Sequence, residues 1–316
     1  MKTDFIQTAH SYCKQDIVGW FLSRKLNGFA AVWDGGITRG MVASDVPWYV
    51  KGGDDRLKTK PVSTGMWTRR GKVIAAPNWW LNLLPKYVPL QGEVWKDDDK
   101  KIAAVCNVKD PEDPRWWEAQ FVVYNYKPYS LWEGVANFPY LKEYFGNWPF
   151  ICRLKKINDL QPNRVLKVLN QTQITSIDNF YKAVHLAKTV GWEGLMLADP
   201  VGYYERRRSH YLLKVKAEYD YEVTVVGYVD GKDGNEGLMG SLVCEVSWDD
   251  SVTTFHGGTQ GMVGRTYTFN VGGGFTKEER NWSYVYNHMY KGKVITINFN
   301  EVGVAGAPPS ARMVSL

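Results

Sequence analysis

Short apolar runs, alternating with polar positions and closed by Gly, Pro or Asp, recur through much of the chain. Those at 19–24, 29–33, 120–126, 193–199 and 211–216 have the two-residue period of strands that bury one face. One segment breaks the rhythm. Across 176–190, Phe180, Val184 and Ala187 share a face at helical spacing, behind Ser176 as a plausible cap. Antiparallel strands with few helices predict an α+β chain.

After Lys216 the texture changes. Tyr221–Val229, Ser241–Trp248, Arg265–Val271 and Lys293–Val304 read as strands with Gly-rich joints. Thr276-Lys-Glu-Glu279 is a capping box, predicted to open a helix that runs to about Met289. Several strands with one late helix suit a small β-barrel such as the OB-fold, a common binder of nucleic acids. The predicted division is therefore 1–217 and 218–316. The stretch 40–67, rich in Gly, Lys, Asp and Thr, reads as an inserted surface loop, and there is no internal repeat.

Composition adds bounds rather than a function. A chain of 316 residues with 44% hydrophobic content can bury two cores. Its net charge of +6 fits a polyanionic partner without requiring one. Cys13, Cys106, Cys152 and Cys244 are far apart, with no Cys-x-x-Cys pair, which argues against a disulfide framework or a zinc site and for a reduced cytosolic setting. No signal pattern opens the chain, and no apolar run approaches the ~18 residues of a membrane span, so a soluble protein is expected.

The candidate chemistry starts at Lys25-Leu-Asn-Gly28, which places a lysine between an apolar strand and a Gly turn. A lysine at the lip of a sheet can serve as a nucleophile, although a solvated charge at a turn is the plainer reading of this motif alone. Five further motifs follow in order: Thr-Arg-Arg-Gly-Lys (68–72), Gln-Gly-Glu-Val-Trp (91–95), Phe-Val-Val-Tyr-Asn (121–125), Glu-Gly-Leu-Met-Leu (193–197) and Leu-Leu-Lys-Val-Lys (212–216). In the last of these, Lys214 and Lys216 share one strand face while Leu213 and Val215 take the other. Two ammonium groups so placed repel unless an anion such as phosphate lies between them, or unless the strand is simply an edge with a charged outer face.

This ordered set resembles the covalent nucleotidyltransferases, specifically the ATP-dependent DNA ligases of the small bacterial and bacteriophage type, from about Gly19 onward. Val32-Trp-Asp-Gly35, Ala75-Ala-Pro-Asn-Trp79 and Leu84-Pro85 fit the joining phrases, and Asp45–Trp48 through Thr64–Trp67 looks most like the bacteriophage branch. The resemblance implies an antiparallel-sheet nucleotidyltransferase (adenylation) domain followed by an OB-fold barrel. Lys25 would attack the α-phosphate of ATP to form lysyl-AMP, pass AMP to the 5′-phosphate of a nick, and allow the 3′-hydroxyl to seal the strand. Glu93 would match the residue that holds the ribose, Tyr124 the ring that stacks on adenine, and Arg69 an arginine near the nick phosphate. Lys214 and Lys216 would bind phosphates, and Glu193 would help to hold Mg²⁺ or Mn²⁺, hard cations that prefer oxygen ligands. The implied partner is nicked double-stranded DNA. The implied setting is a monomer in a bacterial cytoplasm or a phage-infected host cell, working in DNA replication or repair.

Some positions depart from the family pattern. Asn27 and Asn125 stand where Asp is usual, Ala30 where Arg is usual, and the family's final Arg-x-Asp-Lys motif does not follow Asn298–Arg312. The departures at Asn27, Ala30 and Asn125 keep open a catalytically weakened nucleic-acid-binding protein of the same fold, and an RNA ligase or mRNA guanylyltransferase, which also uses a lysine nucleophile, stays open as the alternative within the class.

Overall fold

The computed structural model describes residues 5–50, 61–97, 104–106, 110–134, 146–232, 234–258 and 260–315. Among them, fifteen strands form three five-stranded sheets. Sheet one has the order β1 (Thr8–Ser11), β10 (Arg208–Lys216), β9 (Gly194–Ala198), β2 (Phe21–Arg24), β8 (Thr172–Gln173). Sheet two runs β4 (Met66–Thr68), β3 (Phe29–Asp34), β5 (Pro89–Trp95), β6 (Gln120–Tyr126), β7 (Leu166–Val168). Sheet three runs β13 (Thr266–Val271), β12 (Met239–Ser247), β11 (Tyr219–Asp230), β14 (Val294–Phe299), β15 (Arg312–Ser315). The described helices are α1 (Asn78–Leu81), α2 (Phe150–Asn158), α3 (Ile177–Thr189) and α4 (Trp282–His288). The chain divides into two compact units, Met1–Phe180 with Met196–Val215, and Tyr181–Leu195 with Lys216–Leu316.

In the first unit the two-residue period decides which core each side chain joins. Ala31, Trp33 and Met66 enter one cluster with Trp80, Trp116, Phe121 and Leu154. Their neighbours Val32 and Trp67 enter a second, with Phe5, Val46, Trp48, Tyr129 and Trp132. Sheet two is thus covered on both faces. Helix α2 follows Pro149 and buries Phe150, Arg153, Leu154 and Ile157, one continuous stripe at helical spacing. At α3 the expected cap forms, with Ser176 Oγ accepting from the Asn179 backbone N–H at 3.2 Å. The second unit builds its own core from Val225, Leu242, Trp248, Ile297 and Phe299.

Several expectations need correction. The stretch 40–67 is not wholly a surface loop, because Ala43, Val46, Trp48, Ser63, Met66 and Trp67 are buried; its residues 51–60 lie outside the described residues. The C-terminal sheet is not a continuously hydrogen-bonded barrel. Among the described residues, its edges meet through an isolated parallel bridge between Gly273, just past β13, and Arg312 of β15, where Met313 N donates to Gly273 O at 3.0 Å. That contact involves the Gly272–Gly274 loop and a four-residue strand, too little for a full ladder. The capping box at Thr276 and Glu279 forms both reciprocal bonds, at 2.7 and 3.2 Å. It closes only a turn, however, and the helix begins at Trp282, capped by Asn281, whose side chain accepts from Ser283 N at 3.1 Å. The strand expected to reach Val304 ends at Phe299, and Val302 is buried beyond it in a loop.

Lys127 is the least expected member of the first unit's core. It is fully buried, with Nζ 3.5 Å from the Trp132 ring centroid and 4.1 Å from that of Phe5. Among the described residues, Nζ has no hydrogen-bond partner. Burial, helped by the Arg206 charge, pulls its pKa well below the ordinary lysine value. The unfolded chain therefore holds a proton that the folded chain sheds, and stability rises with pH up to the ordinary lysine pKa of about 10. Lys127→Met is expected to raise stability at pH 7 by about 1–3 kcal/mol and to flatten that rise. Urea midpoints of both proteins at pH 7 and pH 9.5 measure it; a variant with the wild-type slope would contradict the assignment.

Candidate active site

The loop between β2 and β3 is fixed from across sheet two. Gly28 N donates to Glu93 Oε2 at 2.8 Å, and both Lys25 and Glu93 are half-buried. A Cβ at position 28 would stand 2.8 Å from Glu93 Oε2 and from Val94 O, so only glycine allows this approach. On β5, Glu93 lies opposite Ala30 of β3 and Val122 of β6. Alternation then sets Ala30, Glu93 and Tyr124 on one face of sheet two.

Tyr124 is half-buried and its hydroxyl accepts from Gln91 Nε2 at 3.4 Å. Burial raises its pKa, and the negative charge of Glu93 raises it further, which keeps the phenol neutral. Gln91 is the organising residue that the sequence did not single out. It also accepts a hydrogen bond from Tyr204 Oη, and its Nε2 lies 3.5 Å from Gln7 O. A buried glutamine on the same strand face as Glu93 was the available signal.

Arg69 and Arg70 are exposed in a tight turn after β4, closed by Thr68 N to Lys72 O at 2.8 Å and Gly71 N to Thr68 O at 2.9 Å. Because Thr68 pairs with Ala31 in antiparallel register, this turn sits at the Ala30 end of β3. The Arg24 guanidinium, also missed from the sequence, lies 5.4 Å from the Trp95 ring centroid and adds a cation next to Lys25. Half-buried Lys214 is on β10, two strands from β2 in sheet one, and exposed Lys216 is the last residue of β10. Leu213 is buried and Lys216 exposed, whereas Lys214 and Val215 are both half-buried. Glu193 immediately precedes β9, its backbone O accepting from Ala217 N at 3.3 Å. Lys25, Glu93, Tyr124, Arg69 and Lys214 thus belong to the first unit, and Glu193 and Lys216 to the second. Among the described residues, no group of three or more His, Cys, Asp or Glu side chains is placed to hold a metal ion. A single carboxylate such as Glu193 still suits Mg²⁺, which commonly takes one or two carboxylates and completes its shell with water and substrate phosphates.

Two of the five-stranded sheets lie mainly in the first unit and the third in the second, an α+β fold of the kind seen in solved DNA ligases. Comparison with known proteins points the same way. Over 300 residues the chain is 22% identical to the DNA ligase of Haemophilus influenzae, covering 95% of this chain and 87% of that protein. A solved structure from a structure–function analysis of Lig E DNA ligases, described as binding DNA with a minimal scaffold, superposes with a TM-score of 0.65 at 24% identity, covering 98% of both chains. Another, Pmar-Lig_PreS3, gives a TM-score of 0.65 at 20% identity and covers 98% of this chain and 67% of that one. No protein-family model matches the chain.

Proposed function

We propose that this chain is an ATP-dependent DNA ligase that seals nicks in duplex DNA. The observation that carries the reading is the Gly28–Glu93 clamp, which fixes the Lys25 loop beside a sheet face bearing Tyr124. Similarity to DNA ligases over nearly the whole chain supports it. Lys25 Nζ attacks the α-phosphorus of ATP: a P–N bond forms, the bond to pyrophosphate breaks, and the amine loses its proton. AMP then passes to the 5′-phosphate of the nick, and the 3′-hydroxyl displaces it.

Glu93 takes the ribose, Tyr124 stacks on adenine, Arg69 grips the nick phosphate, and Lys214 and Lys216 neutralise phosphate charge. Glu193 helps to hold Mg²⁺, which when bound screens the phosphate charge. Residues 1–217 carry the chemistry and 218–316 the grip on DNA. The working form is a monomer in a bacterial cytoplasm or an infected host cell; among the described residues, no helix is long and apolar enough to cross a membrane.

Incubation with radiolabelled ATP or GTP, followed by acid denaturation and a gel, tests the reading. Labelling by ATP together with sealing of nicked DNA supports it. Labelling by GTP indicates a guanylyltransferase, sealing confined to RNA indicates an RNA ligase, and no labelling indicates a binding protein of this fold. Glu193→Gln keeps the size but removes the charge, so the Mg²⁺ requirement is expected to rise about tenfold while the ATP requirement moves less. Equal metal titrations for variant and wild type would remove the role proposed for Glu193.

A further inference from the structure

At the end of β3 away from Lys25, a cavity of about 390 Å³ is lined by Trp33, Gly35, Gly36, Arg39, Leu81, Asn82, Leu84, Lys86 and Tyr87. Its volume is that of a small ligand pocket. Arg39 is held by two neutral amides at either end of α1: Nη1 donates to Oδ1 of Asn82, its C-cap, at 2.9 Å and Nη2 to Oδ1 of Asn78, its first residue, at 3.0 Å. Amides fix the guanidinium plane without cancelling its charge, and three of its five N–H donors remain for a ligand. Exposed Lys86 adds a second cation, and neither it nor Arg39 pairs with a carboxylate among the described residues.

Several hydrogen bonds hold the loop that carries Arg39. Asp34, fully buried beneath it, accepts from Gly36 N at 2.8 Å, Thr38 Oγ1 at 2.5 Å and Trp67 Nε1 at 2.9 Å. Across the cavity, Tyr87 N donates to Gly35 O at 2.9 Å, and Tyr87 adopts a left-handed backbone with φ 62°. A non-glycine residue kept in that conformation is held by its surroundings, as residues at binding sites often are. Two uncancelled cations, a fixed guanidinium fork and an apolar floor of Trp33 and Leu84 suit a phosphodiester, with its oxygens on the cations and its sugar edge on the floor.

We infer that this cavity is a second phosphate site, which takes one backbone phosphate of the DNA duplex at a distance from the nick. The inference rests on the ligase reading above. The run of β3 from Phe29 to Asp34 is about 17 Å long at ~3.4 Å per residue, or about five base pairs at 3.4 Å per step. With the duplex axis running along β3 and the nick at its Phe29 end, contact falls about five base pairs from the nick.

The test uses the full chain and a nicked duplex in which single phosphates are replaced, one at a time, by uncharged methylphosphonate. In the wild type, one substitution about five base pairs from the nick weakens binding about three- to fivefold, and Arg39→Gln/Lys86→Gln is insensitive to that same substitution. Its slope of log K against log salt is shallower by about 0.9, one phosphate's share. Lys86→Gln alone, at an exposed position, gives part of both effects and guards against a folding defect at Arg39. Normal ATP labelling and sealing with an unchanged salt slope and phosphate map would overturn this site and leave the ligase reading standing. A wild-type chain that neither labels nor binds the nick would overturn the ligase reading itself. Loss of ATP or inorganic phosphate binding in the double variant, with the DNA map unchanged, would assign the cavity to a free anion and refute the DNA assignment.

Discussion

Lys25→Ala is expected to lower acid-stable labelling by ATP by about 10⁴-fold or more, the scale on which removal of a nucleophile acts. The methyl group offers no lone pair for the α-phosphorus, so no P–N bond can form. The loop itself should persist, because Glu93 holds it through the backbone N–H of Gly28 rather than through the lysine. Nicks supplied with AMP already on the 5′-phosphate should therefore still be sealed by the variant, since that step no longer needs the amine. Labelling after acid denaturation and sealing of pre-adenylylated nicks are measured side by side. Persistent labelling of Lys25→Ala would place the nucleophile elsewhere, first among the lysines of 51–60.

Arg153→Met is expected to cost about 2 kcal/mol of stability: it removes three bonds from a charged donor and leaves Trp148 O without one, whereas Asn125 Oδ1 keeps the Tyr126 N–H and Gly202 O the Phe150 N–H, both at 2.9 Å. Arg153 is only 2% exposed. Its Nε donates to Asn125 Oδ1 at 3.0 Å, and Nη1 donates to Trp148 O at 2.6 Å and Gly202 O at 3.3 Å. Burial lowers its pKa to about 10. The resemblance to ligases expected an aspartate where Asn125 stands, and the structure shows what that carboxylate would face. Asn125→Asp should turn the bond to Arg153 into an ion pair, raise the arginine's pKa, and add about 1 kcal/mol at neutral pH. Paired with the guanidinium, the new carboxyl would have a folded pKa below its unfolded value. The gain is thus present above pH 4 and is lost as pH falls through the folded pKa. Urea midpoints at pH 7 and pH 3, with unchanged m values, measure both variants. An Arg153→Met protein as stable as wild type would show that these three bonds do not hold the fold.

The same residue shows why part of the fold was hidden in the sequence. Helix α2 has its apolar stripe interrupted by Arg153, so the helical period is broken by a cation whose acceptors lie on other elements. The strands were legible because Phe29–Asp34 and Gln120–Tyr126 need only their own alternation and flanking turn residues. Ser176 was legible as a cap because its bond spans three residues. The box at Thr276 formed as read, yet the helix starts later, where Arg280 donates to Gly272 O and to Met239 O and Gly240 O, the last two 41 and 40 positions away. The candidate site divides in the same way. Lys25, Glu93 and Tyr124 stood out by residue type and order, whereas the Gly28–Glu93 bond spans 65 positions and the Tyr204–Gln91 bond 113. Local periodicity carries no information about such pairs.

One pairing also sets a timetable for synthesis. Strand β1 lies parallel to β10, and Gln7 N donates to Tyr204 Oη, a partner 197 positions later. At about 5–20 residues per second, a ribosome needs roughly 10–40 s to deliver that partner. For that interval the nascent segment from Phe5 to Ser11 has no sheet to join, and it carries Phe5 and Ile6, which are buried in the finished protein. Sheet one is therefore completed from its latest-made strand back to its first, and in a translating cell this short leading strand is the stretch left waiting for a chaperone.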